Sequence, residues 1–308
     1  MAFAVLCMTE AEARIEAALE RAVAKATGSS CPARLAQAIR YAIFPGGGRV
    51  RPGLCLAVAK ACGDPNPRLA DAAAVAVEFL HSASLVQDDL PCFDNASVRR
   101  GRASLHQGFG QEIAILVGDV LIVTAFDVVS GGIPELPTHA AAILQALARA
   151  AGAPAGIAAG QAWESEASVD VAAYHHAKTA ALFEAAAVAG GIAGGGDPEA
   201  WRRVGSLIGE AYQIADDLAD AMGESEKLGK PIQQDRQNQR PNLVAKLGVV
   251  AAGQKLDDLL VEAKRAIPPC FQRSRVEDFL ALVAGRLCPP DLRDKVDAPL
   301  PDAAVGRG

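Results

Sequence analysis

The sequence has few aromatic residues and an excess of acidic over basic side chains. Phe, Trp and Tyr make up 5% of the 308 residues, and the formal net charge is −6 at pH 7. Proteins that bind single-stranded nucleic acid need aromatic stacking platforms and basic grooves, so this composition counts against such a function. Because the overall field repels anions, an anionic ligand must be held by a local basic cluster or by metal ions.

Paired cysteines and export signals are also missing. The seven cysteines include no C-x-x-C pair, so we expect reduced thiols in a cytoplasmic protein. Residues 1–8 are apolar, but no basic segment precedes them, which is untypical of a secretory signal. The longest apolar stretch, 113–126, is too short to span a bilayer and contains Asp119, so we expect no membrane span.

Strand patterns are nearly absent, whereas apolar residues recur at helical spacing in stretches rich in Ala and Leu. Several of these stretches are apolar on every side, which places them inside a bundle. We therefore predict one all-α domain over 1–288, followed by a loose, Pro-rich tail over 289–308. The predicted helices cover 9–26, 33–43, 50–62, 68–89, 110–129, 138–151, 155–166, 170–193, 198–222, 241–266 and 274–286.

Two acidic clusters lie at the ends of strongly apolar helices. In the second cluster, Asp216 and Asp220 are four residues apart and share one helix face. Carboxylates crowded inside a bundle repel one another unless a cation lies between them, and oxygen ligands favour Mg²⁺. A single cluster is often only a solvated helix end, but two of them predict a metal site. The carboxylates are Asp88, Asp89 and Asp94 in the first cluster and Asp216, Asp217 and Asp220 in the second.

Basic residues gather near the same segments. An isolated arginine pair is usually a surface feature, and a lysine in an apolar helix often extends its ammonium group to solvent. Beside paired carboxylates, however, guanidinium groups favour a polyphosphate ligand bridged by Mg²⁺. The cations concerned are Arg49, Arg51, Arg99, Arg100, Lys178, Lys230 and Arg240.

Three segments resemble the motifs of trans-isoprenyl diphosphate synthases. Residues 44–52 (FPGGGRVRP) resemble the G-G-K-R-x-R-P element of that family. Residues 85–95 (LVQDDLPCFDN) and 211–220 (AYQIADDLAD) resemble its first and second Asp-rich motifs, the first in its long form. The resemblance is closest to the geranylgeranyl diphosphate synthases of bacterial carotenoid pathways. It implies a single large helical bundle of the isoprenoid synthase type with a central apolar cavity, and a homodimer.

The resemblance also implies roles for individual residues. Three Mg²⁺ ions, for which Mn²⁺ can substitute, would be bound by Asp88, Asp94 and Asp216, assisted by Asp89, Asp217 and Asp220. The allylic diphosphate (dimethylallyl, geranyl or farnesyl) would be held by Arg99, Lys178, Thr179, Gln213 and Lys230. Isopentenyl diphosphate would be held by Arg51, His81 and Arg100, and the substrate contacts would also include Arg49 and Arg240. The catalytic set would be Asp88, Asp89, Lys178, Asp216 and Lys230.

Three positions depart from the family pattern. Gly48 replaces a lysine, which removes one ammonium group from the expected isopentenyl diphosphate site. The lysine expected after Lys230 corresponds to Arg240 if the loop has one extra residue, and the aspartate expected after the Gly160–Gln161 pair is Glu164. Our hypothesis is that Arg49 or another cation compensates for Gly48.

The implied reaction is ionisation of an allylic diphosphate to a cation, which the alkene of isopentenyl diphosphate then attacks. Product length depends on the residues below Asp88, and the positions four and five residues back are the small Ser84 and Ala83. Farnesyl diphosphate synthases of bacteria tend to have an aromatic residue at the fifth position, so we predict a twenty-carbon product. A fifteen-carbon product is the alternative, since Phe79 or another wall could stop the chain earlier.

Two further classes stay open at this point. Class I terpene cyclases also ionise allylic diphosphates, but their second metal motif differs from the segment 216–220, and they need no isopentenyl diphosphate site. A non-catalytic subunit of a prenyl synthase typically loses one acidic motif, whereas both are intact here, and Gly48 is the feature that keeps this alternative open.

Overall fold

The structure, a computed structural model, describes residues 10–44, 47–221 and 243–287 of the chain. Nearly all of the regular structure is helical, as predicted. The first half contains α1 Glu10–Ala26, α2 Ala33–Ile43, α3 Val50–Ala61, α4 Pro67–Asp88, α5 Leu105–Phe109, α6 Gln111–Ser130 and α7 Pro137–Ala151. The second half contains α8 Ile157–Ala162, α9 Val171–His175, α10 Ala181–Ala193, α11 Pro198–Ala221, α12 Leu243–Leu247, α13 Val249–Ala266 and α14 Ser274–Leu287.

Helices α4 and α10 form the centre of the bundle. Every residue of α10 is buried except Glu184, and α10 packs against α3, α4, α7 and α11. Helix α4 packs against α3, α6 and α10. Both helices are rich in Ala and Val and apolar on nearly all sides, so burial is the arrangement that removes most of their surface from water. The prediction that such helices lie inside a bundle is confirmed.

A short hairpin follows the first acidic cluster, where no strand was predicted. Strand β1 Val98–Arg99 pairs antiparallel with β2 Arg102–Ala103, and Arg99 lies opposite Arg102. The two turn residues, Arg100 and Gly101, have φ angles of +53° and +72°. Positive φ at both positions matches the right-handed twist of the hairpin. Four residues are too few to give an alternating apolar pattern, which is why the sequence does not reveal them.

Two long predicted helices are interrupted. The segment predicted as one helix over 170–193 contains a π-helical turn, His176–Ala180, between α9 and α10. The single helix predicted over 241–266 is wrong, because Gly248 takes a φ angle of +81° and separates α12 from α13. The helix predicted over 155–166 ends in a 3₁₀ turn at Trp163–Ser165.

The predicted site residues Lys230 and Arg240 and the predicted tail 289–308 lie outside the described residues.

Helices α4 and α6 are long and apolar enough to cross a membrane, by length and composition alone. Their environments differ, because 78% of the most apolar part of α4 is buried inside the fold, against 33% for α6. Helix α4 is thus a core helix of the bundle. The exposed side chains of α6 form an apolar face that needs a separate explanation.

Candidate active site

The first acidic cluster lies at the C-terminal end of α4, where α8 packs against it. Gln161 Nε2 donates a hydrogen bond to Asp88 Oδ1 at 2.8 Å. The preceding residue has to be glycine, because a Cβ atom on Gly160 would lie 2.6 Å from the backbone nitrogen of Lys178. The close approach of α8 to the π-helical turn therefore places Gln161 where its amide reaches the aspartate.

The π-helical turn brings Lys178 to the same aspartate. Lys178 Nζ lies 3.9 Å from Asp88 Oδ1 and forms an ion pair with Glu164 Oε1. The Tyr174 hydroxyl donates to the same Glu164 oxygen at 2.8 Å. A π turn adds one residue to the helical repeat and so changes the direction of the side chains in it, and such turns are frequent at functional sites. Lys178, which was predicted to hold the allylic diphosphate, therefore lies beside the first acidic cluster.

Asp89, beside Asp88, is directed towards the hairpin. Arg99 contacts it with two nitrogens, Nη2 to Oδ1 at 2.5 Å and Nε to Oδ1 at 3.0 Å. Burial raises the pKa of the Asp89 carboxyl, and the Arg99 guanidinium partly offsets that effect. The arginine holds the carboxylate in place and balances its charge in a water-poor environment.

The chain beyond α4 turns back on the helix end. The backbone nitrogen of Asp94 donates to the Asp88 carbonyl at 2.9 Å, and Asn95 adopts a φ angle of +47°. Pro91 cannot continue the helix with an N–H donor, so the last turn opens and the chain reverses. Asp94 thereby returns to the end of α4.

The second acidic cluster is on α11, which packs against the π-helical turn. Thr179 Oγ1 donates to Gln213 Oε1 at 2.7 Å, and Gln213 Nε2 donates to Asp217 Oδ1 at 2.9 Å. Asp217 is buried, whereas Asp216 and Asp220 are half-buried. Two of the residues predicted to hold the allylic diphosphate, Thr179 and Gln213, thus form a hydrogen-bonded row that ends at Asp217 of the acidic cluster.

Arg51 and Arg100 are two further cations of the predicted site. Arg51 is buried, its guanidinium lies 4.4 Å from the centre of the Phe183 ring, and its Nε has no hydrogen-bond partner. Burial lowers the pKa of Arg51 and of Arg100. A buried N–H group without a partner costs free energy, and an anion that reached it would relieve that cost. This feature fits the predicted role of Arg51 in binding a diphosphate.

Arg49 takes a different place from the one expected. Its nitrogens bind Glu78 at 2.5 Å, Glu16 at 2.7 Å and the Ile43 carbonyl at 3.0 Å, and its side chain is 4% exposed. A diphosphate would have to break these buried ion pairs to reach it. Arg49 therefore joins α1 to α4, and the idea that it compensates for Gly48 needs correction because its charge is already matched.

His81, Ala83 and Ser84 lie on α4 below Asp88. Ala83 is buried, and the Ser84 hydroxyl donates to the His81 carbonyl at 2.8 Å. The Ser84 carbonyl accepts a longer hydrogen bond of 3.4 Å from Gln161 Nε2. No bulky side chain occupies these two positions of the helix, as the sequence indicates.

The described residues contain no group of three Asp, Glu, His or Cys side chains close enough to hold a metal ion. Asp88 and Asp89 instead contact an amide and a guanidinium. Mg²⁺ commonly uses one or two carboxylates together with substrate phosphates, so a preformed cage of three is not required. The oxygen donors lie on α4 and α11, and the π-helical turn contacts both: Lys178 lies beside Asp88, and Thr179 is joined through Gln213 to Asp217. This arrangement fits that chemistry.

Three residues that belong to this arrangement were not among the predicted site residues: Gln161, Glu164 and Tyr174. Gln161 and Glu164 are three residues apart, which is the spacing of side chains on one helix face. That spacing, directly after Gly160, is the sequence pattern that could have indicated Gln161 and Glu164 as site residues. The part of Tyr174 depends on the packing of α9 against α8 and has no such signal.

Comparison with known proteins agrees with this geometry. Residues 32–266 match the family model of the polyprenyl synthetases. The chain belongs to the polyprenyl synthetase family. It is 47% identical over 285 residues to the geranylgeranyl diphosphate synthase of Cereibacter sphaeroides, an alignment that covers 92% of this chain and 99% of that one.

Solved structures of similar fold support the same assignment for this polyprenyl synthetase. The geranylgeranyl pyrophosphate synthetase from Pyrococcus horikoshii has a TM-score of 0.75 and 28% identity, covering 89% of this chain and 97% of that one. The geranyltransferase from Helicobacter pylori, complexed with magnesium and isoprenyl diphosphate, has a TM-score of 0.73 and 25% identity, covering 90% and 98%. The predicted all-α isoprenoid synthase fold is thereby confirmed.

Proposed function

We propose that this polyprenyl synthetase condenses isopentenyl diphosphate with allylic diphosphates and makes geranylgeranyl diphosphate. The observation that carries the proposal is the meeting of Asp88 and Lys178 at 3.9 Å, which joins the first acidic cluster to the row of residues leading to the second. In a chain of net charge −6, such a local pairing of carboxylates and cations is what an Mg²⁺–diphosphate ligand requires.

The side chains of the site have separate tasks in this reaction. Lys178, Arg99 and Thr179 bind the allylic diphosphate and stabilise negative charge as the C–O bond breaks and its electron pair leaves with the diphosphate. The alkene carbon of isopentenyl diphosphate attacks the allylic cation, and the proton lost from the adduct goes to the departing diphosphate. The apolar walls from α4 and α10 exclude water from the cation.

The acidic residues would hold Mg²⁺ in this mechanism. Asp88 and Asp94 at the end of α4 and Asp216 on α11 would supply oxygen ligands. Arg99 and Gln213 hold the neighbouring Asp89 and Asp217 behind them. Mg²⁺ held by these residues would supply positive charge that makes the diphosphate a better leaving group.

The twenty-carbon product is supported by α4 and by the similar synthases. Ala83 and Ser84 leave the helix without a bulky side chain one turn below Asp88, so a growing chain meets no aromatic side chain at these positions. The relative from Cereibacter sphaeroides bears the name geranylgeranyl diphosphate synthase. The farnesyl alternative has less support, and nothing in the described site favours a terpene cyclase.

We also propose that the protein is a homodimer assembled through α6. Ile115, Leu116 and Val123 are 51%, 48% and 67% exposed on this helix, although apolar residues of this size are normally buried. Asp119 is exposed on the same helix, and a carboxylate disfavours insertion of that face into lipid. A second copy of the chain would cover the apolar side chains of this face. Asp119 lies between Ile115 and Val123 on it and would take a polar partner from that copy.

We also propose a cytoplasmic location, because the seven cysteines include no C-x-x-C pair and are expected to be reduced thiols.

The test is a product assay with purified protein, Mg²⁺ and isopentenyl diphosphate, with dimethylallyl, geranyl or farnesyl diphosphate as the second substrate. Sizing the dephosphorylated products by mass should give a twenty-carbon alcohol from all three. A product that stops at fifteen carbons would support the farnesyl alternative. Absence of condensation with every substrate would contradict the proposal and favour a non-catalytic subunit.

The proposed dimer has a separate test. Sedimentation of the wild type should give a dimer, and sedimentation of Val123→Asp should give a monomer.

A further inference from the structure

Gly48 is contacted by a cation from the far end of the described chain. Arg286 Nη1, on α14, donates to the Gly48 carbonyl at 2.6 Å. Gly48 is the position at which the G-G-K-R-x-R-P element has a lysine, so the contact occurs at the place where one positive charge is missing. The two residues are 238 positions apart, and no local pattern indicates their contact.

The packing of α14 on α3 fixes this contact. The buried face of α14 contains Val276, Leu280, Val283 and Leu287. Beside it, the Phe279 ring lies so close to Gly53 that a Cβ atom there would be 3.0 Å from its Cε2 atom. Phe279 and Arg286 are seven residues apart, which is two helical turns, so both side chains lie on the side of α14 that faces α3. Because the apolar face of α14 is buried in the fold, α14 holds the Arg286 guanidinium beside the start of α3.

The contact also lies beside another cation of the predicted isopentenyl diphosphate site. A Cβ atom on Gly47 would be 2.8 Å from Arg100 Nη2, and one on Gly48 would be 3.6 Å from Arg286 Nη1. Because Gly47 and Gly48 are consecutive, the two guanidinium groups lie beside neighbouring residues of the chain. A lysine at 48 would begin its side chain in contact with Arg286, so the arginine occupies the space beside the missing side chain.

Arg286 differs from Arg49 in its access to solvent. Its side chain is 37% exposed, against 4% for Arg49. Its bonds to the Gly48 carbonyl and to Glu12, the latter at 2.7 Å, use two of the five N–H donors of a guanidinium group. An exposed guanidinium with donors beyond these bonds can bind a diphosphate oxygen without breaking a buried ion pair.

We propose that Arg286 replaces the missing lysine and binds the diphosphate of isopentenyl diphosphate together with Arg100. This inference rests on the proposed function and deepens it, because it assigns a specificity residue to the end of α14. The competing interpretation is a purely structural one, in which Arg286 only ties α14 to α1 through Glu12.

Four variants separate the two interpretations in steady-state kinetics. Arg286→Ala should raise the KM for isopentenyl diphosphate about 10- to 100-fold, the range of a lost hydrogen bond to a charged group, and leave the KM for geranyl diphosphate unchanged. Gly48→Lys alone should change either KM little, whereas Gly48→Lys in the Arg286→Ala background should restore most of the loss. Glu12→Gln, the matched control, removes the ion pair to α1 and keeps the cation, so both KM values should stay as in the wild type.

A binding measurement makes the test independent of turnover. Isopentenyl diphosphate alone should raise the melting temperature of the wild type and of Glu12→Gln, but not that of Arg286→Ala, whose melting temperature without ligand checks that it folds. The inference is overturned if Arg286→Ala binds isopentenyl diphosphate like the wild type, or if Glu12→Gln loses binding equally. A wild type that binds isopentenyl diphosphate but makes no product would contradict the proposed function and leave the assignment of Arg286 standing.

Discussion

The amide of Gln161 donates a 2.8 Å hydrogen bond to Asp88, and through it α8 orients a carboxylate at the end of α4. Outer partners of metal ligands typically contribute 10- to 100-fold to metal affinity or activity. We expect Gln161→Leu to lower kcat/KM by about 10- to 100-fold and to raise the Mg²⁺ concentration needed for half-maximal activity. A Mg²⁺ titration of initial rates checks this, with Gln145→Leu on the exposed side of α7 as control. Unchanged Mg²⁺ dependence would show that Asp88 needs no such support.

Lys178, on the π-helical turn, places its Nζ 3.9 Å from Asp88 Oδ1. Lys178→Ala should reduce kcat/KM for geranyl diphosphate by about 100-fold, because charge then develops on the leaving diphosphate without its partner. The KM for isopentenyl diphosphate should stay within about twofold, since that substrate is assigned to other residues. Lys246→Ala, at an exposed lysine of α12, is the charge-matched control. Equal effects on the two substrates would contradict the division of the site.

Arg51 is expected to show a conflict between stability and function. Its guanidinium is buried, and burial lowers the pKa of the group, which means that the charged form is destabilised in the fold. Arg51→Met keeps a long side chain against the Phe183 ring and should raise the free energy of unfolding by about 1 kcal/mol or more. Urea denaturation measures this change.

The same variant should lose use of isopentenyl diphosphate. Its KM for that substrate should rise by about tenfold or more, whereas the KM for geranyl diphosphate should not. A less stable Arg51→Met protein would mean that the ring contacts and the surrounding carboxylates stabilise Arg51 more than burial destabilises it.

His176 should give the protein a pH-dependent stability. A hydrogen bond to Glu184 at 3.0 Å raises the pKa of His176 above its ordinary value of 6.5, and burial only partly opposes this. A raised pKa means that the stabilisation is fully present below about pH 6.5 and is lost as the pH rises through the folded value. Denaturation of the wild type from about pH 6 to about pH 8 should therefore show decreasing stability relative to His176→Asn. Parallel curves for the two proteins would contradict this.

Ala83 should control product length, because it is buried on α4 five residues before Asp88 and carries only a methyl group. Ala83→Phe should shift the main product from twenty to fifteen carbons and leave the rate with dimethylallyl diphosphate within about threefold. Mass analysis of dephosphorylated products checks this, with Ala141→Phe on the exposed side of α7 as control. A twenty-carbon product from Ala83→Phe would place the growing chain along another wall of the bundle.

Much of the fold could be predicted because its determinants are local. The apolar composition of 69–86 and of 181–193 predicts buried helices whatever they pack against, and both are at the centre of the bundle. The acidic clusters were also visible, since the spacing of Asp216 and Asp220 is a property of one helix. The hairpin at Arg99 and the π-helical turn at His176 were not, because each involves too few residues to leave a periodic pattern.

The sequence by itself determined which side chains carry charge and which helices carry them: Asp88 at the end of α4, Asp216 on α11, and a glycine in place of a lysine at 48. Tertiary structure alone decided how these charges are paired. The fold directs Arg49 to Glu78, although Arg49 directly follows Gly48 in the sequence. It brings Arg286 to Gly48 from 238 positions away. The physical reason is that an ion pair depends on distance and burial, and both are set by the packing of helices far apart in the chain.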